Sequence, residues 1–385
     1  MSLTRIAETV LADLESQGLL RRPREVSGPQ RPRMVVDGQH VLCMCSNNYL
    51  GLAGHPVLAS AIREGLEQEG SGSGASRQIS GNMSAHRRAE AALAGFVGQE
   101  AAAFFSTGYT ANIGALQGLA TRDDVIFSDE LNHASLIDGA RLSRARVVIY
   151  RHADAQDLAD KLAEHRTLGR HALIVTESLF SMDGDHAPLV DLLAIARRHD
   201  AALVVDEAHA LGVDGPRGAG LCAQLGILPD VTIGTIGKSF GLQGAFVSAA
   251  APVVDLVRNR ARTFVFSTAP SPAVVHAAPA AVRLVAEAEG LRASLRRNFR
   301  RLRAGLAELG YEVLPGESAI IPVMIGDPEP TMATSQALFE RGVFVHGVRP
   351  PTVPAGTGRL RLIPMATHTD AEISEALGAF AEVRR

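Results

Sequence analysis

Between about residues 100 and 250, short apolar runs alternate with longer stretches whose apolar positions recur every three or four residues. The runs are AAAFF (101–105), DVIFSD (124–129), VVIY (147–150), HALIVTES (171–178), ALVVDEA (202–208), VTIGTIG (231–237) and AFVSA (245–249). Between most of them lie segments with helical spacing, such as DAQDLADKLAEH and LVDLLAIARRHD. Continuous Val/Ile/Leu runs separated by amphipathic helices predict an α/β fold with a mainly parallel sheet covered on both faces. AFVSA follows its predecessor after a Gly-rich link too short for a helical crossover, so it is expected to run antiparallel.

The pattern changes after about residue 285. GLRASLRRNFRRLRAGLAELG has the spacing of a long basic helix, and YEVLP, AIIPVMIG, GVFVHGVRP and GRLRLIP follow as strand-like runs. This predicts a smaller C-terminal α+β domain over 286–385, after a large domain over 46–285. Residues 1–45 read as a helix and a strand-like arm. No internal repeat or low-complexity linker interrupts the chain.

Composition narrows the function classes. The 385 residues are 46% hydrophobic with a formal net charge of −3, and the basic residues are scattered. No stripe for nucleic acid and no polybasic membrane patch results. Cys43 and Cys45 stand two apart and Cys222 alone, with no further ligand at metal spacing, so all three read as structural thiols of a reducing compartment. The acidic residues of MSLTRIAETVLADLESQGLL give no support for a signal peptide. No run of about 18 apolar residues exists to span a membrane. A soluble, cytoplasmic protein is expected.

Lysine usage is the sharper signal. Only Lys161 and Lys238 occur among the 38 basic residues, the other 36 being Arg. Lys161 sits in a polar helical pattern, whereas Lys238 sits in the apolar, Gly-rich VTIGTIGKSFGLQGAF. Arginine cannot give up its proton to become a nucleophilic amine, and a desolvated lysine can. Ligands of parallel sheets sit at the carboxyl ends of strands, and the polar residues fall there. Glu177 and Ser178 end one run, Asp206 and His209 close the next, and Thr235 to Lys238 follow another. A carboxylate at the end of an apolar run needs a partner. A pyridinium nitrogen of pyridoxal phosphate (PLP) would suit Asp206, with His209 three residues on. Gly108 and Tyr109 open a helical pattern after the run AAAFF, which suits phosphate binding. The plainer readings are a helix N-cap for Asp206, a structural histidine for His209, an ordinary polar loop residue for His133, and surface ion pairs for single arginines.

Together these motifs resemble the α-oxoamine synthases of PLP fold type I (aspartate-aminotransferase-like). SNNYLGLAGHP, GSGASRQISGNMSAH, TGYTAN, LNHAS, TESLFSMDGD, DEAHALGV, TIGKSFG, FSTAPSP and RPPTVPAGTGRLRL occur in that family's order. The resemblance implies that Lys238 carries the cofactor as a Schiff base, that Asp206 pairs with the ring nitrogen and that His209 contacts the ring oxygen. His133 corresponds to the histidine stacked on the ring, Ser181 to a polar cofactor contact and Glu177 to a neighbouring acid. Gly108, Tyr109 and Thr235 correspond to phosphate binders, with Thr268 reaching the phosphate across a homodimer interface. Asn47 and Ser76 lie in substrate-side loops. Arg361 and Arg349 correspond to carboxylate clamps, and Arg21 to the region holding the acyl donor.

RPPTVPAGT and GSGASR are most similar to the biotin-pathway members, which join L-alanine to pimeloyl-CoA or its carrier-protein equivalent. RLRLIP is similar to the 5-aminolevulinate synthases, which usually have Thr where Ser76 stands, so another acyl donor or amino acid stays open. In the implied reaction Lys238 is the general base that removes the α-proton. Two other readings fit the sequence less well. GSGASR as a dinucleotide loop fails because Gly72 and Gly74 follow a polar helical pattern and a third glycine is missing. A binding subunit that has lost catalysis fits poorly with Lys238, Asp206, His209 and His133 all present.

Overall fold

The computed structural model describes residues 2–384. Met1 and Arg385, the outermost residues of the expected segments 1–45 and 286–385, lie outside the described residues. The chain divides into two compact units. The larger holds Leu52–Ser181 and Asp185–Arg292; the smaller holds the residues up to Gly51, Met182–Gly184, and those from Ala293 onward.

Each of the seven apolar runs forms a strand of one sheet in the larger unit. These are β1 (Ala101–Phe105), β2 (Val125–Asp129), β3 (Arg146–Tyr150), β4 (Ala172–Glu177), β5 (Ala202–Asp206), β6 (Val231–Thr235) and β7 (Ala245–Ala249). Their order is β1-β7-β6-β5-β4-β2-β3. Pairing is parallel from β3 across to β6, and β7 runs antiparallel to both β6 and β1, as its short link predicts. Several strands stop one or two residues before their apolar run does. Glu207 and Ala208, for example, turn away from the sheet, with Ala210 and Leu211 amides returning to Glu207 O at 3.0 and 2.9 Å.

The helix Gly108–Leu119 packs Ala111, Ala115 and Leu116 into a cluster with Phe105, Ile126, Val175, Val204 and Val247. Burying the Leu, Ile, Val and Phe side chains contributes roughly 1.5–3 kcal/mol each and the alanines about 0.8, which anchors the helix against the sheet. The expected helices are present, including Ala155–His165, capped by Asp154, and Glu289–Glu308.

In the smaller unit, Gln39–Cys43 pairs in parallel with Val343–Phe344, register Leu42 opposite Val343. The N-terminal arm is therefore grouped with the C-terminal residues, where the sequence suggests a separate segment ending at 45. GVFVHGVRP, which reads as one strand, splits: Val343–Phe344 joins the arm, and His346–Val348 joins Gly358–Leu362. Met34, Val36, Val41, Cys43, Phe339 and Met365 form the core beneath the arm. No described helix is long and apolar enough to cross a membrane.

Candidate active site

In the larger unit, Glu177 and Asp206 are the last residues of adjacent parallel strands and stand directly opposite one another in register. Two carboxyls on one face of neighbouring strands repel unless a cation or proton intervenes. Both are buried. Burial, then the charge of Asp206, pushes the Glu177 carboxyl up to about 8, while Lys238 pulls the other way. Lys238 follows β6 in a tight turn: Gly241 N donates to Lys238 O at 3.1 Å. Gly241 has φ of +70°, and a Cβ there would lie 2.4 Å from the Leu52 carbonyl carbon, so only glycine closes this turn. Thr235 ties the turn further, its hydroxyl donating to Gly244 O (2.9 Å) and accepting from Gly237 N (3.0 Å).

Asp206 uses both oxygens. Oδ1 accepts from Ala208 N at 2.8 Å within the turn after β5, where no helix begins for it to cap, and Oδ2 accepts from Asn112 Nδ2 at 2.7 Å. Asn112 also donates to Ser135 Oγ (2.8 Å), which lies 2.7 Å from His133 Nδ1. His133 Nδ1 accepts from Ser135 N at 3.3 Å, so its lone pair is engaged and the neutral ring carries its proton on Nε2. Burial and the charge of Lys238 lower the His133 pKa against the pull of Asp206. The His133 amide donates to Glu177 Oε1 at 2.7 Å. One connected network thus joins Asp206, Asn112, Ser135, His133 and Glu177. His209 is buried on the turn after β5, and Ser181 is buried on the loop after β4.

Sequence reading missed Asn112 and Ser135. Asn112 lies one turn into the helix that Gly108 opens, within TGYTAN, and Ser135 lies in LNHAS; that common spacing from motif residues is the signal that could have found them. Glu207 is buried beside Asp206 but serves the fold, accepting from Ser178 Oγ, Leu221 N and Cys222 N at 2.9, 3.0 and 2.7 Å.

The raised Glu177 pKa has a consequence for the apo protein. Its folded value of about 8 lies above the ordinary 4.5, so folding retains a proton. That contribution to stability is complete below pH 4.5 and is lost as pH rises through 8. Glu177→Gln is expected to remove this slope, so that the variant gains on the parent between pH 4.5 and 8 in urea midpoints. Parallel midpoint curves would contradict it.

The phosphate-binding expectation rests on Gly108 and Tyr109. Thr107 caps the helix, its hydroxyl accepting from Thr110 N at 3.2 Å, and the first-turn amides of any helix lack intrahelical partners. A Cβ built on Gly108 would find its nearest neighbour, Thr235 Cβ, 4.0 Å away. Gly108 and Thr235 therefore stand side by side at this helix end. An amine, a carboxylate for a ring nitrogen, a neutral imidazole and the amides of a helix N-terminus fit a PLP molecule. Tyr109 directs its hydroxyl to Asp138, and its ring stands edge-on 6.5 Å from His133. Thr268 is exposed and forms a β-bridge with Ser76.

The smaller unit holds the other expected residues. Arg361, on the strand Gly358–Leu362, donates to Asn47 Oδ1 at 3.1 Å. Arg349 donates to Leu20 O (2.8 Å), and Arg21 donates to Thr352 Oγ1 (3.0 Å). Arg359, two residues from Arg361, is committed to Asp183. Arg21, Arg349, Arg361, His346, Met182 and Met332 all line one cavity of about 770 Å³. Burial and the three arginines push the His346 pKa down, which marks a cavity of positive potential suited to carboxylates.

The family description "Aminotransferase class I and II" matches residues 39–380. An 8-amino-7-oxononanoate synthase of Geobacter sulfurreducens is 49% identical over 99% of this chain and 98% of its own. One from Anaeromyxobacter sp. is 50% identical, over 97% and 94%. A solved serine palmitoyltransferase from S. paucimobilis with bound PLP-myriocin aldimine matches with a TM-score of 0.94 at 34% identity, over 100% of this chain and 98% of that one. An 8-amino-7-oxononanoate synthase structure from Francisella tularensis matches at 0.76 and 27% identity, over 89% and 97%.

Proposed function

Because this chain belongs to the aminotransferase class I and II family, we propose that it is a PLP-dependent acyltransferase of biotin biosynthesis. It condenses L-alanine with a pimeloyl thioester, releasing CO2 and the thiol, to give 8-amino-7-oxononanoate. The fold type and the resemblance to the α-oxoamine synthases are borne out by the family match and the solved neighbours. The observation that carries the reaction type is the cluster of Lys238, Asp206, Glu177 and His133 beyond the ends of β6, β5, β4 and β2. The choice of product rests on the curated relatives at 45–50% identity. The serine palmitoyltransferases share the backbone but only about a third of the residues, and a common backbone does not decide a substrate.

When bound, PLP supplies an electron-accepting ring that stabilises the α-carbanion of the amino acid. Asp206 holds the proton on the ring nitrogen, and Asn112, donating to Asp206 Oδ2, fixes that carboxylate in place. Lys238 Nζ would hold the cofactor and, as a free amine, would take the α-proton of alanine as general base. His133, neutral and held by Ser135 and Glu177, gives the ring a flat face. The first-turn amides at Gly108 and Tyr109 take the phosphate. Arg361 holds the alanine carboxylate, and Arg21 and Arg349 attract the acyl donor's own carboxylate into the basic cavity.

The active form in this reading is a cytosolic homodimer. Three free cysteines suit a reducing compartment. Ile79 and Phe266, flanking the Ser76–Thr268 bridge, are 79% and 70% exposed, which supports reading this face as the one a second copy covers.

A thiol-release assay across a panel of acyl thioesters and amino acids tests the proposal. Pimeloyl thioester with alanine is expected to give the highest kcat/KM; a preference for succinyl-CoA with glycine would overturn the substrate assignment. In the same assay Arg361→Lys is expected to raise the KM for alanine about tenfold or more while cofactor retention stays unchanged, because an ammonium cannot form the bidentate pair. An unaltered KM would remove Arg361 from the clamp.

A further inference from the structure

His152, on the loop after β3, has no part in the chemistry described so far, yet both of its ring nitrogens are bonded to carboxylates. Its Nδ1 lies 2.8 Å from Asp129 Oδ1, and its Nε2 lies 2.8 Å from Asp185 Oδ2. Carboxylates only accept, so an imidazole bonded to one at each nitrogen donates from both and carries a positive charge. Burial disfavours that charge, but Asp129 and Asp185 outweigh it and lift the ring to about 10. The Phe180 ring closes one side, edge-on at 4.4 Å.

Its two carboxylates belong to two site-bearing segments. Asp129 ends β2 and organises the turn that leads to His133: its Oδ1 also accepts from Leu131 N (2.9 Å), and its carbonyl from Asn132 N (3.3 Å). Asn132 in turn donates to Val175 O at 2.8 Å, and the next residue is His133. Asp185 closes the loop after β4. Its carbonyl accepts from Phe180 N at 2.9 Å, and Leu179 bridges to His186 across the same loop. Ser181 stands on that loop, next to Phe180.

We propose that His152 is a positioning residue, a doubly bonded pin that fixes the turn carrying His133 to the loop carrying Ser181. The consequence for function rests on the proposed roles of those two residues; the pin itself does not. Removing it frees both segments by a few tenths of an ångström to an ångström, which misaligns the ring contacts without touching substrate. The carboxylate clamp assigned to Arg361 lies on other elements, so the KM for alanine is not expected to change.

The test compares the parent with His152→Gln, Asp185→Asn and the double variant, each as PLP-loaded enzyme. His152→Gln is expected to lower kcat about tenfold or more and to weaken PLP retention, with the KM for alanine within about twofold. Asp185→Asn shows the same pattern, and the double variant is no worse than His152→Gln, because His152→Gln already breaks the link to Asp185. Amide hydrogen exchange over residues 129–133 and 178–186 rises in the same variants. Unchanged exchange in His152→Gln overturns the pin, and faster exchange with unaltered kcat and PLP retention overturns its positioning role. A parent protein that binds no PLP would instead sink the proposed function, while the exchange data would still judge the pin.

Discussion

Lys238→Arg is expected to lower turnover by about 10⁴-fold or more while leaving the fold intact. The substitution keeps the charge and most of the length of the side chain. It removes the one property the site requires, an amine that can shed its proton and bond covalently. Loss of a general base alone costs about 10²–10⁴-fold, and loss of covalent attachment adds to it. The turn survives because it is held by Gly241 N on Lys238 O and by the Thr235 hydroxyl on Gly244 O, none of which uses the lysine amine. Circular dichroism and unfolding midpoints should therefore match the parent. Turnover within tenfold of the parent would refute the assignment.

Asp206→Asn is the second large effect, expected at about 10²- to 10³-fold in kcat. Asparagine is the same size and can still accept from Ala208 N or Asn112 Nδ2, so packing is preserved. The negative charge that holds a proton on the ring nitrogen is gone, and breaking a buried charged pair costs roughly 3–5 kcal/mol. The loss should appear in kcat and in the spectrum of bound PLP more than in the KM for alanine, which Arg361 governs. An Asn variant with parental kcat would reduce Asp206 to its structural contacts with Ala208 N and Asn112 Nδ2.

The sheet was legible in the chain because a strand buried on both faces has to be apolar throughout, and every run answers to that demand except the edge strand β3, which is apolar although Val147 and Ile149 are exposed. Even the antiparallel β7 followed from the length of one link. The candidate site was legible where a residue breaks the local pattern: a lysine in an apolar Gly-rich run, or a carboxylate closing a Val-rich strand. Asn112 and Ser135 break no pattern. An amide early in a helix and a serine after a histidine are ordinary in sequence, and their importance arises from Asp206, 94 residues beyond Asn112. The grouping of the N-terminal arm with the C-terminal residues was hidden for the same reason. It depends on Leu42 meeting Val343 across 300 residues, and periodicity within either strand says nothing about its partner. GVFVHGVRP split because its two halves found different neighbours.

The central claim is that Lys238 binds the cofactor, and it can be read directly. PLP-loaded protein would be reduced with borohydride, digested and mapped by mass spectrometry. The visible absorbance should disappear on reduction, and the pyridoxyl phosphate mass should lie on the peptide containing Lys238. A label on the Lys161 peptide, or no label at all, would contradict it.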